Sequence, residues 1–403
     1  MSTVTQNALV YEKKALPASV ATVGIALLAL GLLTFGGSFV MDPMRAKFVS
    51  IMLFMFMAGV AICSLFMVAI EYIAGAVWST PLRRIFELLS SLVYVLPIFA
   101  IPVLLNMNEI YHWTHVGQDV ILQRKAPYLN QTFFMIRFAL IMGLWMLFHR
   151  LFTSNSYKQD QTGDQRLTAK NVKLAAIFIP VFGLSLTALS IDFMMSLEPH
   201  WFSTIFGVNF FAGSLIAALA VISITVIMLN ENGYLAKGIV GDHYYSLGFG
   251  MFAGNVFWTY TAFSQGMLIW YANIPEETPW YLHRWEHGWW VITISLILFH
   301  FLVPFFALIQ RKNKRNPVRM LIGAMLILFA HCLDLYWIVM PVHDHAQAAN
   351  GGHAMGPTLG LAELGAVMLA AGFIIFWFQL MAKKHNLVAI GDPKLQRGLN
   401  FRL

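Results

Sequence analysis

The sequence has few charged residues. Charged side chains make up 11% of its 403 residues, against about 25% in an average soluble domain. Hydrophobic residues make up 59%, which is more apolar surface than a soluble core can bury. We therefore expect an integral membrane protein, and the fold class that we predict is all-α with ten transmembrane helices.

Cysteine is almost absent, which excludes several kinds of site. Cys63 and Cys332 are the only two cysteines, and both lie within apolar runs. Two such residues cannot form a disulfide framework, hold an iron–sulfur cluster of the chain's own or attach haem through a CxxCH motif. These groups are therefore excluded from this chain.

Ten apolar runs are long enough to cross the hydrocarbon core of a bilayer, for which a helix needs about 20 residues. Lys13 and Lys14 precede the first run, which is long enough to span the membrane rather than to be removed as a signal peptide. The predicted helices, one to ten, cover residues 18–40, 48–78, 85–105, 133–152, 174–193, 204–229, 243–271, 288–310, 320–342 and 359–381.

The distribution of basic residues predicts the orientation of these helices. Twenty of the 26 Lys and Arg residues lie at the two termini, in the even-numbered loops or, in the case of Arg150, at the adjoining end of helix four; five lie in the odd-numbered loops, and Arg137 lies farther inside helix four. Because cytoplasmic loops carry the excess of Lys and Arg, we expect both termini in the cytoplasm. The net charge of +7 then reflects the inner leaflet and not a nucleic-acid surface.

A weak internal repeat divides the helices into two groups. The residues FMAG at 56–59 recur as FFAG at 210–213, an offset of 154. Nearly the same offset relates helices three, four and five to helices seven, eight and nine. The repeat predicts two four-helix bundles, 48–193 and 204–342, flanked by helices one and ten. Both copies would have the same topology, so the repeat is parallel.

Seven ionisable residues in or beside the predicted helices are candidates for a proton path. At 1.5 Å per residue, His300 and His331 lie near mid-membrane, and Asp334 shares a helix face with His331. Ionisable residues within a membrane are costly and commonly form proton relays. From the predicted cytoplasmic side outward, the candidates are Glu71, Glu87, His300, His331, Asp334, Asp192 and Glu363.

Some of these acids have a second interpretation, as ion pairs that fix helix packing. Glu87 is three or four residues from two arginines, Arg84 and Arg83, and Asp192 has Arg137 as a potential partner. For Glu87 we favour packing, because it lies at the interface, where a charged side chain can reach water.

For His331 and Asp334 we favour a functional role over packing, because charge at the membrane midplane is costly. His300 and His331 also fit a b-type haem with two axial histidines, but a bundle that holds haem across a membrane usually offers several such histidines. The predicted outer loop that contains residues 343–353, HDHAQAANGGH, lacks the fixed spacing of a structural metal site.

Two polar stretches lie at the predicted outer ends of the helices. The stretch at 190–206 contains Asp192, Glu198 and His200, and the stretch at 265–278 contains Trp270, Tyr271, Glu276 and Glu277. An aromatic rim beside acids and histidines suits a quinone head group. It equally suits interfacial anchoring, which composition alone favours.

These two stretches together carry a resemblance. SIDFMMSLEPHWFSTIFGVNFFAGS at 190–214 and QGMLIWYANIPEETPWY at 265–281 resemble the NrfD-like family of polysulfide-reductase membrane subunits, and within it the F subunits of bacterial alternative complex III. The ten helices fit that family across nearly the whole chain. By this resemblance, Asp192, Glu198 and His200 match the outer motif, and Glu276 and Glu277 match the acids after helix seven.

The resemblance implies a subunit of a quinol:electron-acceptor (cytochrome c) oxidoreductase in the bacterial cytoplasmic membrane. The expected partners are an NrfD-like paralogue, a periplasmic iron–sulfur subunit and multihaem cytochromes, with a terminal oxidase as a further candidate. Haem and iron–sulfur clusters would lie in these partners, and a quinone is a candidate ligand near this chain. A scaffold without chemistry of its own and an ion-coupled transporter are the alternatives.

Overall fold

Helices form all the regular structure that is described. The computed structural model covers residues 15–349 and 356–403, and within these ranges every regular element is a helix. Nine of the described helices are long and apolar enough to cross a membrane. The chain is therefore a multi-pass helical membrane protein. Lys13, Lys14 and residues 350–353, on which parts of the sequence predictions depend, lie outside the described residues.

Ten long helices follow the ten predicted runs. They are α1 Ala18–Met41, α2 Pro43–Ala74, α3 Arg83–Leu105, α4 Gln131–Thr162, α5 Arg166–Phe193, α6 Phe206–Glu231, α7 Gly241–Ala272, α8 Trp290–Ile309, α9 Pro317–Ala349 and α10 Leu361–Lys384. Of these, α7 is not among the nine most apolar. It has 32 residues, but Asp242, His243, Asn255 and Gln265 are buried within it and make it more polar.

Two of the long helices are irregular. In α3 the α-helix changes to a 3₁₀ turn over Ser91–Tyr94, just before Pro97. Proline has no N–H to bond the carbonyl of Val93, so the regular helix is interrupted there. In α8 a π-helical turn covers Ile297–Leu302, directly before Pro304. π turns are rare in proteins, and those that do occur often lie at functional sites.

The prediction of a loop directly after helix nine is wrong for residues 343–349. Residues 343–349 continue α9, and Pro341 lies inside that helix without ending it. Asp344 Oδ2 accepts hydrogen bonds from Trp289 Nε1 (3.1 Å) and from the backbone N–H of Gly356 (3.1 Å). These bonds tie the extra turns to the segment before α8 and to the chain that leads into α10, which explains why the helix persists beyond the predicted span.

α2 and α6 lie at the centre of the fold. α2 packs against α5, α6 and α9, and α6 also packs against α7 and α9. A Cβ atom at Gly59 would lie 2.5 Å from Ser214 Oγ, so only glycine permits α2 and α6 to cross this closely. The division into bundles at 48–193 and 204–342 stays a prediction, since α2, α6 and α9 contact one another across that boundary.

α1 packs along α10 through small residues. A Cβ atom at Gly31 would lie 2.5 Å from the backbone nitrogen of Leu369, and one at Gly365 would lie 2.5 Å from the backbone nitrogen of Phe35. Within a membrane, helices associate through such close backbone contact, because lipid and apolar side chains are equally hydrophobic. The glycines therefore hold α1 against α10.

We expect Gly31→Ile to push α1 away from α10 and to lower the free energy of unfolding by about 1–3 kcal/mol, the usual cost of overpacking. Gly36→Ile is the matched control, because it adds the same side chain to α1 where no described atom lies within 4 Å of the new Cβ. Thermal unfolding in one detergent compares the two variants. Equal melting temperatures would contradict the close contact.

Candidate functional site

Two buried arginines at the start of α3 neutralise acids from four parts of the chain, one of which is Asp160 in α4, bound by Arg84. Arg83 forms ion pairs with Glu71 (Nη1–Oε1, 3.0 Å) and Asp392 (Nη2–Oδ2, 2.7 Å). Arg84 forms an ion pair with Glu87 (Nη1–Oε2, 2.5 Å). Glu87 thus takes part in the packing interaction that the sequence suggested as an alternative to proton transfer, and Glu71 takes part in a similar one.

The two acids predicted near the outer side are also paired. Arg137 binds Asp192 with two parallel contacts, Nε–Oδ2 at 2.8 Å and Nη2–Oδ1 at 2.9 Å. Arg45 binds Glu363 through Nε–Oε1 at 2.8 Å. Removing one partner of a buried ion pair leaves an uncompensated charge and is strongly destabilising. These pairs join α4 to α5 and α2 to α10.

His300, His331 and Asp334 form a different kind of cluster. Each of the three side chains has one potential metal-ligand atom, a ring nitrogen or a carboxylate oxygen, and these three atoms lie within 4.8 Å of one another. All three residues are buried. Neither ring nitrogen of His300 or His331 has a hydrogen-bond partner among the described residues. Asp334 forms no ion pair with any lysine, arginine or histidine that the structure describes. The cluster therefore has unused capacity to bind protons or a ligand.

Trp258 on α7 fixes two members of this cluster. Its indole ring stacks on His300 with a centroid distance of 3.6 Å, and its Nε1–H donates a hydrogen bond to Asp334 Oδ2 at 3.2 Å. On α6, a Cβ atom at Gly213 would lie 3.0 Å from His331 Nδ1. The absence of a side chain at Gly213 is therefore what lets the His331 ring lie against α6.

The π turn of α8 contributes His300 to the cluster. His300 lies in the middle of the turn, and the fully buried Asn255 of α7 donates a hydrogen bond to the carbonyl of Phe301 at 3.3 Å. In a low-dielectric environment each backbone carbonyl that leaves the regular helix pattern needs a new donor. Asn255 supplies that donor and so stabilises the turn that positions His300.

The geometry of the cluster suits proton transfer. A neutral imidazole has one donor and one acceptor nitrogen, and a carboxyl group can hold or release a proton. Two hydrogen bonds of about 2.8 Å at a tetrahedral angle separate their outer atoms by about 4.6 Å. Ligand atoms within 4.8 Å of one another can therefore exchange a proton through one bridging water.

The same three side chains could also bind a metal ion. Two imidazole nitrogens and one carboxylate oxygen form a common ligand set for a divalent ion such as zinc. A haem between the two histidines fits less well, because the indole of Trp258 and the α6 backbone at Gly213 occupy the space beside the rings.

A separate group of polar contacts surrounds Glu198, in the turn after α5. Its carboxylate contacts His283 Nδ1 at 2.9 Å and Arg284 Nη1 at 3.1 Å. Arg284 is 1% exposed and also donates to the carbonyls of Trp280 and Ile338. Burial raises the pKa of the Glu198 carboxyl, but Arg284 and His283 together hold it below its ordinary value. This group ties the loop before α8 to the end of α5.

The remaining predicted outer residues lie apart from the His300 cluster. His200 pairs at the surface with Asp119 (Nε2–Oδ2, 2.6 Å), and this hydrogen bond lowers the pKa of Asp119. Trp270 and Tyr271 are 80% and 83% exposed, as expected for interfacial anchors. At the surface near them, Glu276 is exposed and Glu277 is partly buried.

Sequence reasoning missed the residues that complete these sites. Trp258 and Asn255 lie within predicted helix seven, and a tryptophan or an asparagine inside a membrane helix usually has a hydrogen-bond partner, which was the available signal. Gly213 belongs to the repeat, which does not reveal its contact with His331. Arg284 lies in a predicted loop, and its burial depends on contacts that the sequence does not reveal.

The fold and these contacts define the class of protein: a multi-pass helical membrane protein with a buried histidine–aspartate cluster. Comparison with models of protein families finds no match, and a search of curated proteins finds none either.

We expect Glu198→Gln to lower the free energy of unfolding by about 2 kcal/mol at pH 7, because it removes a charged partner of Arg284. The folded-state pKa of Glu198 lies below the ordinary 4.5, so its stabilising effect is complete above pH 4.5 and is lost as the pH falls through the folded-state value. Thermal unfolding of the wild type and the variant at several pH values measures this difference.

The exposed Glu276 provides the control, since Glu276→Gln should change stability by less than about 0.5 kcal/mol. A destabilisation by Glu198→Gln that stays constant from pH 7 to well below pH 4.5 would show that the charge of Glu198 does not stabilise the fold.

Proposed function

We propose that this chain is a ten-span membrane subunit of a bacterial quinol:electron-acceptor oxidoreductase of the alternative complex III type, and that it conducts protons through His300, His331 and Asp334. The observation that carries the proton role is the cluster itself, in which four ring nitrogens have no partner among the described residues. A group already held in an ion pair must break that pair to exchange a proton. The cluster needs no such step.

The path has candidate ends on both sides of the cluster. In this proposal Glu71 and Glu87 lie toward the cytoplasm, and Asp192 and Glu363 lie toward the outside. All four are paired with arginines, so each must leave its ion pair to take up a proton. The ion pairs would therefore restrict proton entry, while the cluster would hold the proton between the two sides.

The resemblance of the stretches at 190–214 and 265–281 supports the respiratory assignment. In the proposal both termini are cytoplasmic, and α7 crosses the membrane together with the nine more apolar helices, which gives ten spans. The partners are an NrfD-like paralogue, a periplasmic iron–sulfur subunit and multihaem cytochromes. The two cysteines of this chain cannot ligate a cluster of its own, so the electron carriers belong to those partners. The chain would act only within the complex, with a quinone nearby and a terminal oxidase as a further partner.

The two alternatives make different demands on the structure. A transporter of the inverted or parallel repeat type commonly has interrupted helices at corresponding positions of its two halves. The interrupted α3 corresponds to α7 under the 154-residue offset, and α7 is continuous over 32 residues. A scaffold would need no unpaired histidines at the centre of the membrane, where polar groups are costly.

We expect Asp334→Asn and His331→Gln to slow proton release by about 100-fold, the usual effect of removing a positioned proton carrier. The measurement uses the purified complex in vesicles, with quinol turnover and proton release recorded together. Cys332→Ala serves as control, because Cys332 neighbours His331 on α9 but lies outside the cluster. If both variants assemble and keep wild-type turnover and proton release, the chain is a scaffold.

A further inference from the structure

A cavity of about 400 Å³ lies at one end of the membrane helices. It is a partly open cavity, lined by segment 124–129, which precedes α4, and by segment 191–202, which covers the end of α5 and the turn after it. Since α4 begins at Gln131 and α5 ends at Phe193, the cavity lies where the chain passes from hydrocarbon to the polar interface.

The wall of this cavity combines apolar and cationic side chains. Its lining includes Leu129, Ile191, Met195, Phe202, Arg124 and Lys125. Most of the exposed lining is apolar, and the two cations are neighbours in sequence. An apolar wall next to two cations matches an amphipathic molecule with an anionic head and a hydrocarbon chain.

Lys125 is a partly buried cation in the wall of this cavity. It is only partly exposed, its ammonium donates to the carbonyl of Pro199 at 2.5 Å, and it lies 5.8 Å from the ring centroid of Phe202. Burial lowers the pKa of the Lys125 ammonium below its ordinary value. An anion in the cavity would compensate for this loss of hydration.

Trp201 gives an independent indication of a missing acceptor. It is 4% exposed and lines the cavity, its ring stacks on Trp280 at 4.5 Å, and its Nε1–H has no acceptor among the described residues. Buried tryptophans usually donate this hydrogen bond. Because Nε1 is itself buried, an oxygen atom of a bound molecule would satisfy it once the indole turns toward the cavity.

The position of the two cations is also unusual for this chain. Arg124 and Lys125 are two of only five basic residues in the odd-numbered loops. Under the orientation in the proposed function, that side of the membrane is the one from which Lys and Arg are depleted. Orientation therefore does not explain why these two cations are there, whereas binding of an anion does.

We propose that this cavity binds one anionic glycerophospholipid, with its phosphate at Arg124, Lys125 and Trp201 and an acyl chain along Leu129 and Ile191. The apolar wall and the position at the membrane interface favour a lipid over free phosphate. The lipid would lie against the segment that links α5 to α6, beside the Arg137–Asp192 ion pair, because Ile191 precedes Asp192 in α5.

Native mass spectrometry of the full-length chain in detergent, titrated with phosphatidylglycerol or phosphatidylcholine, tests this proposal. We expect one phosphatidylglycerol to bind at least about tenfold more tightly than phosphatidylcholine. The double variant Arg124→Gln/Lys125→Gln should weaken phosphatidylglycerol binding by about 20-fold, and Trp201→Phe should weaken it by about threefold. Thermal unfolding without added lipid checks that each variant is folded.

The matched control is Arg166→Gln/Lys170→Gln, which removes the same charge from exposed positions at the other end of α5 and should leave binding unchanged. Equal binding of the two lipids, or a loss as large in the control as in the cavity variants, would overturn the proposal. Complete displacement of the lipid by inorganic phosphate would also overturn it and would assign a site for a free anion. Because Trp201→Phe keeps the charge and the ring, it decides the question if the double variant fails to fold.

Discussion

The cost of placing an ionisable group inside a membrane shapes this protein more than any other interaction. A buried charge without a partner costs several kcal/mol, so a group in the span must be paired, neutral or able to share a proton. Most buried acids of the described chain take the first solution. Asp192 with Arg137 and Glu363 with Arg45 show it most simply. His300, His331 and Asp334 take another, since no lysine or arginine pairs with them in the described residues.

These two solutions have different structural effects. The arginine pairs lie toward the helix ends and join neighbouring helices, such as α4 with α5 and α2 with α10. The cluster lies inside and is assembled from four helices, with Gly213 of α6 and Trp258 of α7 in contact with histidines of α9 and α8. The ion pairs therefore hold the helices in place, and that arrangement keeps the cluster together without a cation. The π turn at His300 is part of the same arrangement.

Much of the helical architecture could be predicted from the sequence, because a span needs about 20 apolar residues and such runs are easy to recognise. The rise per residue also placed His300 and His331 at similar depth, and the structure brings them together. The partners across the fold could not be predicted in the same way. Arg45 and Glu363 are separated by 318 residues, and apolar periodicity does not specify which helices become neighbours. Pro304 indicates an irregularity in α8 but does not specify a π turn, and the extension of α9 depends on bonds from Asp344 to distant groups.

The central claim is that the His300, His331 and Asp334 cluster changes its protonation while the complex turns over. Infrared difference spectroscopy of the complex, oxidised minus reduced and with isotope-labelled histidine, tests this claim most directly. The account predicts imidazole bands that shift with the label and disappear in His331→Gln. A difference spectrum without such bands, or with bands that persist in that variant, would contradict it.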